Sequence, residues 1–312
     1  MDSFGRRDFL QMTAAAGAAP FLAAGQAPRS GKSVRLGVVV WVKKNQDPDS
    51  VIASVRQLGF STCQVGFDEP SPDRAGPLTT ALERHGVEAT ALLDLGPGRM
   101  VWDFYDGPLT IGLVPRELRR ARIDSLKRAS DLASKCGIPA IHTHCGFIPE
   151  NPNDPVYKEV VAAVREVAAY CKKNGQIVLC ETGQETPITL LRTFHDVGLD
   201  NLAVNLDTAN LILYGKGNPV DALDVIGKYV RGLHAKDGLF PTDPRRLGEE
   251  VPIGRGKVDF PKIIHRLKQL GYSGAITIER ESEGPQQAAD IQASKAYLEK
   301  LIKEIYGPAP AA

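Results

Sequence analysis

The feature that most constrains the fold of this chain is a regular alternation of two kinds of segment from residue 34 onward. Short runs rich in β-branched and apolar residues, such as VRLGVVVW and QIVLCETG, alternate eight times with longer amphipathic segments. Short apolar runs bounded by turn residues predict buried strands, and the amphipathic segments predict helices that cover them. Several of the predicted helices end at a glycine, as in RQLG, LERHG, KKNG and KQLG, where a left-handed helix cap is expected.

Eight consecutive strand-then-helix units predict a closed parallel barrel, that is, an α/β fold of the (β/α)8 TIM-barrel type in a single domain. The length of 312 residues and the apolar content of 43% suit this architecture. A doubly wound open sheet is the alternative, but no GxGxxG turn follows the first predicted strand. Residues 95–115 and 238–258 are unusually long connections, and in a barrel both leave the C-terminal face, where active sites form.

The N-terminal segment differs from the rest of the chain and predicts an export signal. The string GRRDFLQ, with Arg6 and Arg7 as adjacent arginines, precedes a stretch of small and mildly apolar residues, and this order resembles a Tat-type signal. The apolar part is too short and too rich in alanine to be a good membrane span. We therefore expect residues 1–30 to be a signal read by the Tat export machinery, a periplasmic location, and a barrel over residues 31–312. A short amphipathic helix with chance arginines is the alternative.

Charge and cysteine content disfavour two classes of protein. The formal net charge is +1, and no basic run follows the first few dozen residues, so we expect no nucleic-acid partner. The five cysteines form no CxxC pair and are predicted to be mostly buried thiols rather than a disulfide framework.

Four polar side chains stand at the C-terminal ends of the last four predicted strands. Because alternate residues of a strand share a face, each strand would direct its terminal polar side chain toward a common point above the barrel. The four residues are Glu181, Asp207, His234 and Glu279. Three ionised carboxylates cannot cluster without a compensating cation, and three carboxylates with one imidazole suit one divalent metal. The pattern favours Mn²⁺, with Mg²⁺, Co²⁺, Fe²⁺ or Zn²⁺ as alternatives, and a set of salt-bridged strand ends is the metal-free alternative.

The strings LCETG, NLDTAN, GLHAKDG, IGRGKVDFPKII and AITIERE together resemble the xylose-isomerase-like barrel superfamily. This superfamily holds sugar isomerases, epimerases related to tagatose 3-epimerase and, more distantly, metal-dependent apurinic endonucleases. The resemblance covers residues 34 to about 305 and implies that the four strand-end residues bind one divalent metal. It further implies that Glu181 and Glu279 form an acid/base pair on opposite faces of a sugar, as in an isomerase or epimerase that moves a proton next to a carbonyl. It also implies a homo-oligomer as one expected assembly.

Two positions depart from the pattern of the epimerases. Asn210 stands where these enzymes usually carry a substrate-binding histidine, and Phe240 stands where an arginine often follows the metal-binding histidine. Two alternatives therefore stay open, namely a metal-dependent lyase that eliminates from a 3-keto-glycoside and a non-catalytic barrel that binds carbohydrate or metal. Endonuclease activity is disfavoured, because the loop before IGRGK has GEE where extra His and Asp ligands would be needed.

Further side chains are candidates for contact with a small sugar or keto-sugar. His144, near the end of the fourth strand, could bond a hydroxyl or be a core histidine, and the same holds with less weight for His142. Lys236 could orient substrate or form a salt bridge within its loop. Trp102 belongs to an aromatic group in the first long loop that is expected to form a pocket wall, with a hydrophobic plug or a subunit contact as the alternatives. The predicted substrate contacts are His144, Asn210, Lys236, Trp102 and Gln64.

Overall fold

The computed structural model describes residues 34–282 and 284–307, so the predicted export signal at residues 1–30 lies outside the described part of the chain. Its strands are β1 (Arg35–Val42), β2 (Thr62–Phe67), β3 (Glu88–Leu93), β4 (Ala140–His144), β5 (Ile177–Glu181), β6 (Leu202–Asp207), β7 (Val230–Ala235), β8 (Asp237–Gly238), β9 (Glu250–Val251) and β10 (Ala275–Ile278). Eight of them form a closed barrel in the order β1-β10-β7-β6-β5-β4-β3-β2, with all neighbours parallel. The predicted single-domain TIM barrel is confirmed.

The helices surround the barrel in the expected alternation. They are α1 (Pro48–Gln57), α2 (Ala75–His85), α3 (Gly107–Thr110), α4 (Arg116–Lys135), α5 (Pro155–Lys173), α6 (Pro187–Val197), α7 (Asn210–Leu213), α8 (Pro219–Ile226), α9 (Phe260–Gln269) and α10 (Pro285–Tyr306). Side chains of Asp47, Asp154 and Asn218 cap three of the helix N-termini, each directly before a proline that is preorganised for the first turn. At the end of α2, Gly86 adopts the predicted left-handed conformation, with φ 58°. No helix in the described ranges is both long and apolar enough to cross a membrane.

The two long connections contain short elements that the alternation did not predict. The connection after β3 includes the four-residue helix α3, and the connection after β7 includes the antiparallel ribbon of β8 and β9. Asp237 anchors this second connection, because its carboxylate accepts hydrogen bonds from the backbone N–H groups of Gly238, Gly254, Gly256 and Val258. Four N–H donors around one buried carboxylate fix the loop beside the C-terminal face of the barrel.

Apolar side chains fill the space between the barrel and the helices, whereas the interior of the barrel holds both apolar and polar side chains. A small separate cluster of Ala91, Ala140, Leu179 and Ala203 occupies part of the interior. Buried polar side chains occupy the rest, among them Gln64, His142 and Asn205. Buried polar groups require partners, so this region of the barrel interior is where a functional site is expected.

Candidate metal centre

The four strand-end residues converge as their positions predicted. Glu181 and Asp207 are the last residues of β5 and β6, His234 pairs with Asp207 across β6 and β7, and Glu279 follows β10 directly. One ligand atom from each of the four lies within 4.8 Å of the others. The side chains of Asp207 and His234 are inaccessible to solvent, and that of Glu279 is 14% exposed. These four residues are called the acidic cluster below.

Two atoms of the acidic cluster that could coordinate a cation make no hydrogen bond in the described part of the chain. Asp207 is held through Oδ1, which accepts hydrogen bonds from the backbone N–H groups of Ala209 and Asn210 at 2.8 and 2.7 Å. Its Oδ2 and the Nδ1 of His234 are buried and have no hydrogen-bond partner within the described part of the chain. Nδ1 of His234 faces carboxylate oxygens of Glu181 and Glu279, each at 3.3 Å. Three carboxylates and one imidazole nitrogen around a common point are a donor set that fits a divalent cation.

The charges of the acidic cluster are unequal. Burial, together with the nearby carboxylates, raises the pKa of Asp207 well above its ordinary value. Burial also opposes ionisation of Glu279, but the charges of Lys236 and His234 outweigh it and hold the pKa of Glu279 below its ordinary value. The pKa of His234 is raised because Glu279 and Glu181 outweigh the effect of its own burial. A bound divalent ion would replace protons held by these groups, so its affinity should depend on pH.

Two histidines of β4 contact one carboxylate oxygen of Glu181, Oε2, whereas Nδ1 of His234 faces the other, Oε1. Nε2 of His142 lies 2.8 Å and Nε2 of His144 lies 3.2 Å from Oε2 of Glu181. Burial tends to raise the pKa of Glu181, but the nearby imidazoles, led by His144, outweigh burial and hold that pKa well below its ordinary value. The ring of Trp102 meets the ring of His144 edge to face, with centroids 5.2 Å apart. The structure therefore brings both histidines and Trp102 to the site.

Lys236 and Asn210 extend the site toward the second long connection. Nζ of Lys236 is 2.7 Å from Oε1 of Glu281, 3.3 Å from Oε2 of Glu279 and 3.9 Å from Oδ2 of Asp207. Asn210 donates from Nδ2 to Oε1 of Glu181 at 3.1 Å, and its Oδ1 lies 3.4 Å from Nζ of Lys236. The lysine is only 1% exposed, so it is a fixed positive charge at the edge of the acidic cluster rather than a solvated one.

Gln64 is also near the acidic cluster, but its contacts are with the protein. Its side chain is 2% exposed, and its amide bonds to Asn205, His142 and His234. Its predicted contact with substrate stays a prediction.

Three further polar residues of the site region were not predicted from the sequence, namely Glu281, Gln184 and Glu185. Glu281 forms the closest ion pair of Lys236, and Gln184 lies 3.2 Å from Nδ1 of His144 through its Oε1. Glu185 is 1% exposed, neither of its carboxyl oxygens has a hydrogen-bond partner among the described residues, and burial raises its pKa to about 8. The spacing of Glu281, two residues after Glu279, was an available signal, but nothing in the polar run ETGQET distinguishes Glu185 from a residue of an exposed turn.

The two long connections contact each other at the C-terminal face. The backbone N–H of Phe104 donates to the carbonyl of Arg245 at 3.3 Å, and the guanidinium of Arg245 lies 4.4 Å from the centroid of the Tyr105 ring. Phe104 and Leu247 also pack on one apolar cluster with Tyr214. Trp102, whose ring meets that of His144, remains 44% exposed, so apolar surface is available beside the site, and Phe240 in the second long connection is 49% exposed.

Two surface hollows lie away from the acidic cluster. One, of about 450 Å³, is lined by residues that include Lys262 and Ile305, and the other, of about 580 Å³, is lined by residues that include Lys43 and Asp68. Neither contains a convergent set of buried polar atoms, and the convergent chemistry of the acidic cluster is the stronger indication of a functional site.

Comparison with known proteins agrees with this fold. The protein family described as "Xylose isomerase-like TIM barrel" matches residues 52–301. A crystal structure of a xylose isomerase domain protein from Planctomyces limnophilus is 33% identical, superposes with a TM-score of 0.82, and covers 88% of this chain and 100% of its own. An L-ribulose 3-epimerase of Mesorhizobium japonicum is 22% identical over 258 residues, which are 78% of this chain and 80% of that protein.

A xylose isomerase-like TIM barrel protein from Mycobacterium smegmatis, solved in complex with magnesium, shares the fold at 19% identity. Its TM-score is 0.62, and the match covers 82% of this chain and 88% of that one. The family match spans most of the chain, and the match to the 33% identical structure covers 88% of it. The chain belongs to the xylose isomerase-like TIM barrel family.

Proposed function

We propose that this protein is a divalent-metal-dependent sugar isomerase or epimerase that transfers a proton next to a carbonyl. The observation that carries the proposal is the convergence of Glu181, Asp207, His234 and Glu279 within 4.8 Å. The similarity to an L-ribulose 3-epimerase supports a sugar or keto-sugar as substrate. Mn²⁺ suits the oxygen-rich donor set with one imidazole, and the magnesium complex of the Mycobacterium smegmatis protein supports a hard divalent cation.

The residues of the acidic cluster fit the chemistry that such a reaction needs. When bound, the divalent ion would supply polarisation of the substrate carbonyl and stabilisation of the negative charge that develops on its oxygen. Glu279 is ionised because of Lys236 and His234, so it can accept the proton from the carbon next to the carbonyl. Glu181, presented from β5 on the other side of β6 and β7, can hold or return a proton from the opposite direction.

Substrate contacts are proposed for the polar and aromatic groups around the acidic cluster. Lys236 and Asn210 are within 3.4 Å of each other and can bond neighbouring hydroxyl or carbonyl oxygens of a sugar. His144 can donate to or accept from a further hydroxyl, and the exposed ring of Trp102 beside it can pack on the C–H face of a sugar. Gln64 is the predicted contact that the structure supports least, because its amide is already bonded to protein groups.

The altered residues around the site favour a lyase as the second candidate. Asn210 bonds Glu181 in the position where epimerases usually carry a histidine, and Phe240 supplies an exposed ring where an arginine often stands. The same base and cation would serve elimination of a group β to a ketone, as from a 3-keto-glycoside, and an apolar entrance suits a leaving group larger than water. A non-catalytic carbohydrate-binding barrel is the outcome to be distinguished from both.

We also propose export through the Tat pathway to the periplasm, on the pattern of residues 1–30 alone. Export supports a substrate without phosphate, because phosphorylated metabolites are mainly cytoplasmic. Replacing Arg6 and Arg7 by lysines should retain the protein in the cytoplasmic fraction, and an unchanged periplasmic yield would contradict the proposal. A homo-oligomeric state stays a prediction, which sedimentation would test.

Solvent exchange tests the catalytic proposal. The full chain with Mn²⁺ is incubated in D₂O with a panel of ketoses and 3-keto-glycosides, and NMR follows deuterium at the carbon next to the carbonyl and any eliminated product. The Glu279→Gln variant should lose about 10²- to 10⁴-fold of the exchange rate, as expected for removal of a general base. Glu249→Gln is the matched control, because Glu249 is an exposed glutamate outside the acidic cluster.

The outcome of the panel separates the candidates. Exchange without elimination supports an isomerase or epimerase, and elimination supports the lyase. Saturable binding without exchange on any substrate, unchanged in Glu279→Gln, would refute both catalytic assignments and support a carbohydrate-binding protein.

A further inference from the structure

A single amide inside the barrel connects three of the strands that build the site. Gln64 lies on β2, which is diametrically opposite β6 in the barrel order. Its Nε2 donates to Oδ1 of Asn205 on β6 at 3.1 Å. Its Oε1 lies 3.1 Å from Nε2 of His234 on β7 and 2.8 Å from Nδ1 of His142 on β4. The side chain of Gln64, which has almost no solvent exposure, therefore bonds residues that lie 141 and 170 positions further along the chain.

The amide oxygen constrains where His234 carries its proton. A glutamine oxygen only accepts hydrogen bonds, and with two lone pairs it can accept from both histidine rings. The nitrogen of His234 that faces Gln64, Nε2, must therefore carry a proton. In the neutral ring the lone pair is then on Nδ1, which is the atom that faces Glu181 and Glu279 at 3.3 Å. A neutral imidazole binds a metal through the nitrogen that has no proton.

The orientation of the Gln64 amide is fixed from the opposite wall. Because its Nε2 donates to Asn205, its Oε1 is left to face the two histidines. Gly232 on β7 makes space for this arrangement, since a Cβ at that position would collide with Oδ1 of Asn205. Hydrogen bonds therefore run from β6 through β2 to β7, and all three partners are buried.

We propose that Gln64 is a positioning residue of the metal centre, which holds the His234 ring in the tautomer and orientation that present Nδ1 to a divalent cation. This inference rests on the proposed metal-dependent function. It differs from the prediction that Gln64 contacts substrate, because Gln64 acts through His234. Metal-binding histidines generally donate their other ring N–H to an acceptor of this kind, and loss of such an acceptor weakens metal binding by roughly 10- to 100-fold.

Two substitutions at position 64 separate the acceptor from the volume of the side chain. Gln64→Met is close in size and offers no acceptor to His234, so its affinity for Mn²⁺ should fall roughly 10- to 100-fold. Gln64→Glu keeps an acceptor, and Asn205 can turn its Nδ2, which has no partner in the described structure, toward the new carboxylate. This variant should bind Mn²⁺ at least as tightly as the wild type. Thr277→Val is the matched control, since Thr277 is a buried polar residue of the barrel whose hydroxyl makes no hydrogen bond within residues 34–282 and 284–307.

The experiment combines Mn²⁺ titration calorimetry with NMR of ¹⁵N-histidine-labelled full-length protein. The His234 Nε2–H proton should be protected from exchange in the metal-free wild type and in Gln64→Glu, and should be lost from the spectrum of Gln64→Met. His234→Gln assigns the signal. This NMR signal can be observed without metal or substrate. If Gln64 acted only in substrate binding, the signal would be the same in Gln64→Met as in the wild type.

The outcomes are distinguishable. Weaker Mn²⁺ binding together with loss of the Nε2–H signal in Gln64→Met, and retention of both in Gln64→Glu, supports the proposal. Unchanged Mn²⁺ affinity in a folded Gln64→Met variant overturns the proposal. Loss of Mn²⁺ binding in Gln64→Glu also overturns it, and this second result decides the test if Gln64→Met does not fold. A wild type with the protected signal but no Mn²⁺ binding would refute the metal-dependent function itself, and with it the purpose assigned to Gln64.

Discussion

Replacing Asp207 by asparagine should stabilise the metal-free protein and remove its response to metal. The substitution keeps the shape of the side chain, and the amide oxygen can still accept the hydrogen bonds that Oδ1 of Asp207 accepts from the N–H groups of Ala209 and Asn210. The other oxygen, Oδ2, has no hydrogen-bond partner in the described residues, so its replacement by an NH₂ group breaks no hydrogen bond. The change therefore removes one buried negative charge and little else.

The size of the effect follows from the distances within the acidic cluster. Any two of the ligand atoms lie within 4.8 Å, and two unit charges at that distance repel by about 3.5 kcal/mol at an effective dielectric constant of about 20. Asp207 has two such carboxylate neighbours, and Lys236 at 3.9 Å offsets about as much as one of them. Because His234 is also charged, the attractions and repulsions between Asp207 and its charged neighbours nearly cancel. The main remaining energy is the cost of burying the carboxylate, which is several kcal/mol. Allowing for relaxation, we expect Asp207→Asn to raise the metal-free free energy of unfolding by about 1–3 kcal/mol.

The pH dependence of this gain has a defined sign. The folded-state pKa of Asp207 is raised above its unfolded value, so the wild type loses stability as the pH rises from about 4 through the folded pKa. The advantage of Asp207→Asn should therefore be absent below about pH 4 and grow as the pH rises. At neutral pH it should appear as an increase in Tm of about 2–4 °C for each kcal/mol.

Thermal unfolding in a metal chelator and in saturating Mn²⁺ measures both effects. With free Mn²⁺ at 100 times its Kd, the free energy of unfolding of the wild type should rise by about 2.7 kcal/mol, whereas that of Asp207→Asn should hardly change. Asp237→Asn is the matched control, because the Asp237 carboxylate accepts four backbone N–H bonds and its replacement should destabilise the protein with or without metal. A metal-free Asp207→Asn less stable than the wild type, or one that keeps the full Mn²⁺ response, would refute the reasoning.

Two further substitutions test other parts of the site region. Trp102→Ala should raise KM several-fold with a smaller change in kcat, because the ring of Trp102 packs beside His144 at the entrance rather than on the proton path; an equal fall in kcat would contradict this. Burial raises the pKa of Glu185 to about 8, so the folded wild type keeps a proton that the unfolded chain releases. Glu185→Gln should therefore leave the free energy of unfolding unchanged below about pH 4.5 and raise it as the pH rises, with the gain levelling near pH 8. Denaturant unfolding from pH 4 to pH 9 measures this difference, and a gain that is independent of pH would show that the carboxyl is ionised in the folded protein.

The positions that could be predicted from the sequence are those set by strand parity. Glu181, Asp207, His234 and Glu279 each stand at or just after the end of a predicted strand, and parity together with barrel order is sufficient to bring them to one point. Lys236 follows the same parity one step beyond β7, and it is found beside Glu279. The fold could also be predicted from the sequence, because eight alternations of apolar and amphipathic segments are compatible with few topologies.

The features that could not be predicted depend on contacts between distant strands. Whether His142 reaches Glu181 depends on the register that pairs His144 with Glu181 across β4 and β5, and the strings of residues do not specify a register. The contact of Gln64 with Asn205 depends on closure of the barrel across its diameter. Glu185 was missed for another reason, since it lies in a polar run typical of an exposed turn and only tertiary packing buries it.

The measurement that tests the central claim most directly is the metal content of the full-length protein after equilibration with Mn²⁺ and removal of free ion. We expect about one Mn²⁺ per chain in the wild type, as one donor set of three carboxylates and one imidazole implies, and none in Asp207→Ala. A wild type that binds no divalent metal, or an Asp207→Ala variant that binds as much as the wild type, would contradict the claim that the acidic cluster is a metal centre.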